Sequence, residues 1–224
     1  MAASKTKLSR VRRKAAADCP TCRFEEEAAS AGALRIAGID EAGRGPMAGP
    51  VVAAAVVVPY TEPLPGLADS KLLTAQQRDM FFQRIMEDAI ALGIGVVAPE
   101  TIDEINIYQA TRLAMATAVR QITPPPDYLL IYGPISLDLP ISQRAIIKGD
   151  RLSVSIAAAG ILAKVSRDRM MMDLHEQYPQ YRFDFHKGYG TKAHREALER
   201  YGPSPVHRKC FRGVKEYLEP PLFT

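Results

Sequence analysis

The stretch LRIAGIDEAGRGPMAGPVVAAAVVV, residues 34–58, decides the fold. Leu34 to Ile39 is a short apolar strand that ends in Asp40-Glu41. A glycine-rich turn from Gly43 to Pro50 returns the chain into Val51 to Val58, a β-branched run that favours a second strand. Strands joined in this way form an antiparallel pair with two carboxylates at its rim, where ligands bind in open α/β sheets. Successive strand residues face opposite sides, so Asp40 and Glu41 share a cation only if the chain bends at Glu41. Gly43 and Gly45 supply the freedom for that bend. Taken alone, the two acids read better as an ordinary polar turn with surface carboxylates. Gly43 to Ala48 also fits the loose dinucleotide fingerprint G-x-G-x-x-A. That fingerprint must open a helix, whereas Pro46 and the Val51 run open a strand.

Outward from this pair the pattern alternates. Thr74 can cap a helix running to about Leu92, with Met80, Phe81, Ile85, Met86 and Ile90 turned inward. Gly93 to Ala98 reads as a third strand. Pro99 and Thr101 open helical turns, and Ile107 to Ile122 is amphipathic until Pro124-Pro125-Pro126 stops it. Tyr128 to Tyr132 and Ala145 to Lys148 are further strands, followed by a small-residue helix from about Ser155 to His175. The expectation is an α/β protein, a mixed sheet flanked by helices, with a helical C-terminal segment from about residue 191.

A chain of 224 residues suits one well-filled core. No apolar run reaches the roughly 18 residues of a membrane helix, so no membrane association is expected. Three cysteines, an odd number, argue for a reducing, cytoplasmic setting. Of the 29 basic residues, six crowd into Lys5 to Lys14, and without them acids outnumber bases. Residues 1–30 therefore read as a basic, disordered extension whose removal spares the fold but weakens nonspecific binding to nucleic acid. A second basic stretch, Arg182 to Lys215, holds nine Lys or Arg against three acids, with His186, His194 and His207 interleaved. On charge alone such a segment reads about equally as a polyanion surface or as an exposed helix with solvated charges.

The run from Asp40 to Val51 resembles the signature of ribonuclease HII, the type 2 ribonuclease H family. The resemblance continues, in order, through Asp69-Ser70-Lys71, Lys148-Gly149-Asp150, Ala163-Lys164-Val165-Ser166-Arg167-Asp168 and His186-Lys187-Gly188-Tyr189, spanning roughly residues 34–215. It implies a ribonuclease H-like fold in residues 31–224 and a monomer. The implied activity is endonucleolytic cleavage of RNA in RNA–DNA hybrids, and of single ribonucleotides in duplex DNA, leaving a 3′-hydroxyl. It implies two Mg²⁺ or Mn²⁺ ions held by four acids. Asp40, Glu41 and Asp150 match three of these. At the third position, where the family carries Asp, this chain has Tyr132.

Hard oxygen ligands suit these ions, one activating water and the other stabilising the leaving oxygen. A neutral phenol cannot bridge two ions as a carboxylate does. Catalysis is therefore expected to be impaired unless Asp138 or Asp168 substitutes, and a non-catalytic hybrid binder is the alternative. Asp168 stands four residues after Lys164 and is expected to pair with it. The motifs nominate Gly43, Arg44 and Gly45 to test for a 2′-hydroxyl, Tyr189 to pack on the sugar, and Ser70 and Lys71 to contact phosphate. Leu72 stands where the family commonly has a second Lys.

Overall fold

The computed structural model describes residues 20–59 and 66–218. A five-stranded sheet has the order β3-β2-β1-β4-β5, with β1 Ile36–Ala42, β2 Val51–Val57, β3 Ala91–Val97, β4 Tyr128–Tyr132 and β5 Ser142–Ile146. β1, β2 and β3 pair antiparallel, while β4 runs parallel to both β1 and β5. The run after the glycine turn is thus a strand, and the dinucleotide reading fails on the observed fold.

Every residue of β2 is buried because both faces of the sheet are covered. Val51, Ala53, Ala55 and Val57 face one side, together with Ala110, Ala114 and Ala118 of helix α3 (Pro99–Arg120). Ala54 and Val56 face the other side, with Ala157 to Ala163 of α4 (Val154–Gln177) and Phe81, Phe82 and Ile85 of α2 (Ala75–Asp88). Alanine on both partners lets helix backbones approach the sheet closely, which suits the small-residue periodicity of the sequence. α3 is two helices joined at Asn106, whose φ is 65°. The Asn106 side chain accepts from the amides of Tyr108 and Gln109, restarting the helix as an N-cap.

Two expectations need correction. On α2, Met80, Met86 and Ile90 are exposed, and Phe82 is buried in their place. A capping box of Thr74 and Gln77 starts α2, and at about 3.6 residues per turn Phe81, Phe82 and Ile85 share the face that packs inward. The helix ends at Asp88, which leaves Ile90 outside it. The other correction concerns the extension. Arg23–Ser30 forms helix α1, and Glu25 on it is 1% exposed. Glu25 accepts from the Ser153 and Ser155 hydroxyls, each at 2.6 Å, and from the Ser155 amide at 3.0 Å. These groups form the first turn of α4, where a carboxylate is favoured by the helix dipole. Glu27 meets Arg144 of β5 at 2.7 Å, fastening α1 to the sheet edge. The rest of the nominated extension, residues 1–19, lies outside the described residues.

Replacing Glu25 by Ala leaves two buried hydroxyls and an amide without their acceptor. Urea unfolding is expected to show a loss of about 1–3 kcal/mol. A change within experimental error would show that α1 rests on the body without fastening it.

Candidate active site

The parallel register Ile39↔Ile131 sets Asp40, at the end of β1, level with Tyr132 at the end of β4. Pairing with β4 stops there, while β1 continues beside β2 through Ala42↔Val52. β1 therefore does not bend at Glu41, contrary to expectation. Beyond Ile39 the strand has lost its neighbour on the β4 side, and both acids reach one cleft of about 500 Å³. Asp40, Glu41, Gly43, Arg44, Gly45, Ser70, Lys71, Tyr132 and Tyr189 all line it. Asp150 stands behind that lining in the turn Gly149–Arg151, and the Lys71 ammonium is 3.9 Å from its carboxylate. Asp138 and Asp168 do not line the cleft. Asp168 pairs with Lys164 at 2.7 Å, as its spacing suggested.

The acids repel one another in a partly dry setting. Burial, then the neighbouring Glu41, raises the Asp40 pKa well above the usual carboxylate range. Burial likewise raises Glu41, against the opposing pull of Arg44. Asp150 is raised by burial and by Asp69. Tyr132 is raised by burial and by Asp150, so its phenol is neutral at neutral pH. Lys71 Nζ lies 5.9 Å from the centre of the Tyr132 ring. One carboxylate oxygen of Glu41, Oε2, is buried without a hydrogen-bond partner. Helix α4 passes so close that a Cβ on Gly160 would come within 2.5 Å of Asp40 Oδ2.

Two residues that the sequence did not single out for the site hold the glycine turn. Arg167, 1% exposed, donates from Nε to the Pro50 carbonyl at 2.9 Å and from its two terminal nitrogens to the Ala48 and Lys187 carbonyls. Arg208, 0% exposed, donates to the carbonyls of Gly43 at 2.6 Å, Arg44 at 3.1 Å and Gly49 at 2.8 Å and 3.0 Å. Burial lowers their pKa values to about 10 and about 9. Gly43 has φ +94°, and a Cβ there would strike the Arg167 side chain. With these carbonyls turned inward, the amides of Arg44 and Gly45 have no acceptor among the described residues. The basic segment Arg182 to Lys215 is thus only partly a charged surface: Arg208, His186, His194 and His207 are all buried.

Sheet order, helical layers and the acid-lined rim define the class, a ribonuclease H-like hydrolase. The ribonuclease HII family profile matches residues 37–214. A ribonuclease HII of Geobacter sulfurreducens is 55% identical over 195 residues, covering 87% of this chain and 90% of the relative. The crystal structure of the Pyrococcus horikoshii ribonuclease H2 superposes with a TM-score of 0.69 at 24% identity, covering 82% of this chain and 97% of that one. Bst-RNase HIII in complex with Mn²⁺ superposes with a TM-score of 0.66 at 20% identity, covering 84% and 70%. This chain belongs to the ribonuclease HII family and is a ribonuclease H enzyme.

Lysine in place of Arg208 keeps a positive charge but cannot span three carbonyls with a planar fork. Arg208→Lys is expected to lower unfolding free energy by about 1–3 kcal/mol for each carbonyl left without a donor. Denaturant titration checks this, and an unchanged midpoint would mean the turn keeps its shape unaided.

Proposed function

We propose that this chain cleaves RNA strands in RNA–DNA hybrids and next to single ribonucleotides in duplex DNA, with its rate limited by Tyr132. The observation that carries the reading is the single cleft that joins Asp40 and Glu41 to the glycine turn and Tyr189. One end carries the clustered acids, and the other is shaped by the glycine-turn backbone with Arg44 and Tyr189 on its wall.

Divalent Mg²⁺ or Mn²⁺ fits the acidic end. Two adjacent carboxylates with raised pKa values and an unpartnered buried oxygen on Glu41 form a hard, electron-rich donor set. Asp40 and Glu41 would hold the ion, with Asp150 completing its ligands. Among the described residues no three acid, His or Cys side chains are gathered closely enough to enclose an ion unaided. Tyr132 occupies the place where a fourth oxygen anion would stand. A bound divalent ion supplies charge stabilisation at the phosphate and a more acidic attacking water.

The chain's own groups do the rest. The free amides of Arg44 and Gly45 can donate to a 2′-hydroxyl, which DNA lacks. A Cβ on Gly45 would stand 3.7 Å from the Tyr189 ring, so the ring and the turn enclose the same space from two sides. Lys71, on the cleft wall with Ser70, can meet a phosphate when substrate displaces it from Asp150. Leu72 beside it is 54% exposed and offers no charge. We place the protein in the cytoplasm as a monomer, in keeping with free Cys22 and Cys210. No helix among the described residues is long and apolar enough to cross a membrane.

Tyr132 itself favours a second reading, a binder of hybrids that has lost cleavage. One comparison separates them. Tyr132→Asp restores an anion at the rim and is expected to raise single-turnover cleavage of a one-ribonucleotide duplex roughly 100-fold or more, since metal stabilisation of charge is worth several kcal/mol. Equal rates in Mn²⁺ would refute the assigned role of Tyr132. Complete inactivity of the native chain, with activity in the variant, would favour the binder.

A further inference from the structure

One hydrogen-bonded path runs from the buried Ser204, His207 and His194 of the C-terminal segment to Tyr189, whose ring is exposed at the cleft. The helix Lys192–Tyr201 carries His194, and the loop after it carries Ser204 and His207. The Ser204 amide donates to His207 Nδ1 at 3.0 Å, and its hydroxyl lies 2.8 Å from the same nitrogen. His207 Nε2 and His194 Nε2 are 3.0 Å apart. His194 Nδ1 is 2.9 Å from the Tyr189 carbonyl.

Both ends of this path are fixed in sense. A backbone amide can only donate, so His207 Nδ1 must accept, and neutral His207 carries its proton on Nε2. That proton faces His194 Nε2, which must then accept, leaving His194 protonated on Nδ1. The Tyr189 carbonyl at the far end can only accept, and it demands the same tautomer. Two independent constraints thus agree on one proton arrangement. Adding a proton to either imidazole sets N–H against N–H. Burial first, then mutual repulsion involving the neighbouring imidazoles, lowers His194 and His207 to about 4, so both are neutral at neutral pH. A third imidazole braces the same turn: His186 stacks on His194 at 4.4 Å, accepts from the Gly188 amide and meets the Tyr181 carbonyl at 2.7 Å.

We infer that His194 and His207 are positioning residues for substrate selection, holding the Tyr189 backbone so that its ring faces Gly45 at the ribonucleotide. The path also ties this turn to the loop that grips the glycine turn, because the Val206 carbonyl accepts from Gly49 and Arg208 reaches Gly43. The inference rests on the reading of Tyr189 as the residue that meets the sugar.

The test measures binding of two duplexes that differ by one ribonucleotide, at fixed salt with Mg²⁺, together with thermal unfolding. His194→Leu is expected to reduce the preference for the ribonucleotide duplex at least ~10-fold while leaving affinity for the all-DNA duplex nearly unchanged. His194→Asn, which keeps a donor near the Nδ1 position, is expected to restore most of the preference. His207→Leu, which removes the relay without touching His194, is expected to shift preference the same way and decides the matter if His194→Leu does not fold. Nitrogen-15 NMR of the native protein is expected to show His194 protonated on Nδ1 and His207 on Nε2. A lower melting temperature with unchanged preference, or His194 protonated on Nε2, would overturn the inference. If Tyr189→Ala lowers the preference and the histidine variants do not, the relay alone is wrong. If Tyr189→Ala also leaves it unchanged, the reading of Tyr189 falls with it.

Discussion

Two guanidinium ions buried against backbone carbonyls hold this molecule's working parts in register. Burying a charge costs several kcal/mol unless hydrogen bonds replace lost water. Here the replacement comes from carbonyl oxygens: Arg167 takes those of Ala48, Pro50 and Lys187, and Arg208 takes those of Gly43, Arg44 and Gly49. Planar, five-donor side chains can serve several acceptors at once, which an ammonium cannot. The result is a turn with its carbonyls drawn into the protein and its Arg44 and Gly45 amides without an acceptor among the described residues. α4 supplies Arg167 and also passes under Asp40 at Gly160, so turn and acids share one support.

This arrangement separates the glycine turn and Tyr189 from the acidic rim. The glycine turn, Tyr189 and the imidazole path depend on α4 and on the C-terminal segment. The acids depend on the ends of β1 and β4 and on the turn at Asp150. Tyr132 sits wholly on the second side, at the end of β4, with Lys71 over its ring. A substitution there removes an anion without disturbing any contact made by Arg167 or Arg208.

The sequence disclosed the strands and helices that carry strong periodicity, and the acids because their motif is long and ordered. The continuous apolar run Val51 to Val58 and the small residues Ala157 to Ala163 leave little choice of architecture. It misled at α1, where the stabilising contact is a buried carboxylate accepting from Ser153 and Ser155 across more than a hundred residues. Hydrophobic periodicity does not register such a contact. Met80, Met86 and Ile90 were assigned inward by hydrophobicity, but helical geometry gathers Phe81, Phe82 and Ile85 on one face, and that face packs inward. Arg208 read as surface charge in the basic stretch Arg182 to Lys215 because charge counts carry no information on burial, and Arg167 lies outside that stretch. The one available hint was Arg167 inside the motif Ala163 to Asp168. His186, His194 and His207 were hidden for the same reason.

The central claim is that Asp40 and Glu41 form the cation-holding part of a nuclease rim in which Tyr132 has replaced a ligand. The most direct test is anomalous scattering from a crystal of the unaltered protein soaked in Mn²⁺. The account predicts manganese between the Asp40 and Glu41 carboxylates, on the side of Asp150, with the Tyr132 hydroxyl outside its coordination shell. Manganese bound elsewhere with Asp40 and Glu41 uncoordinated, or coordinated by the Tyr132 oxygen, would contradict it.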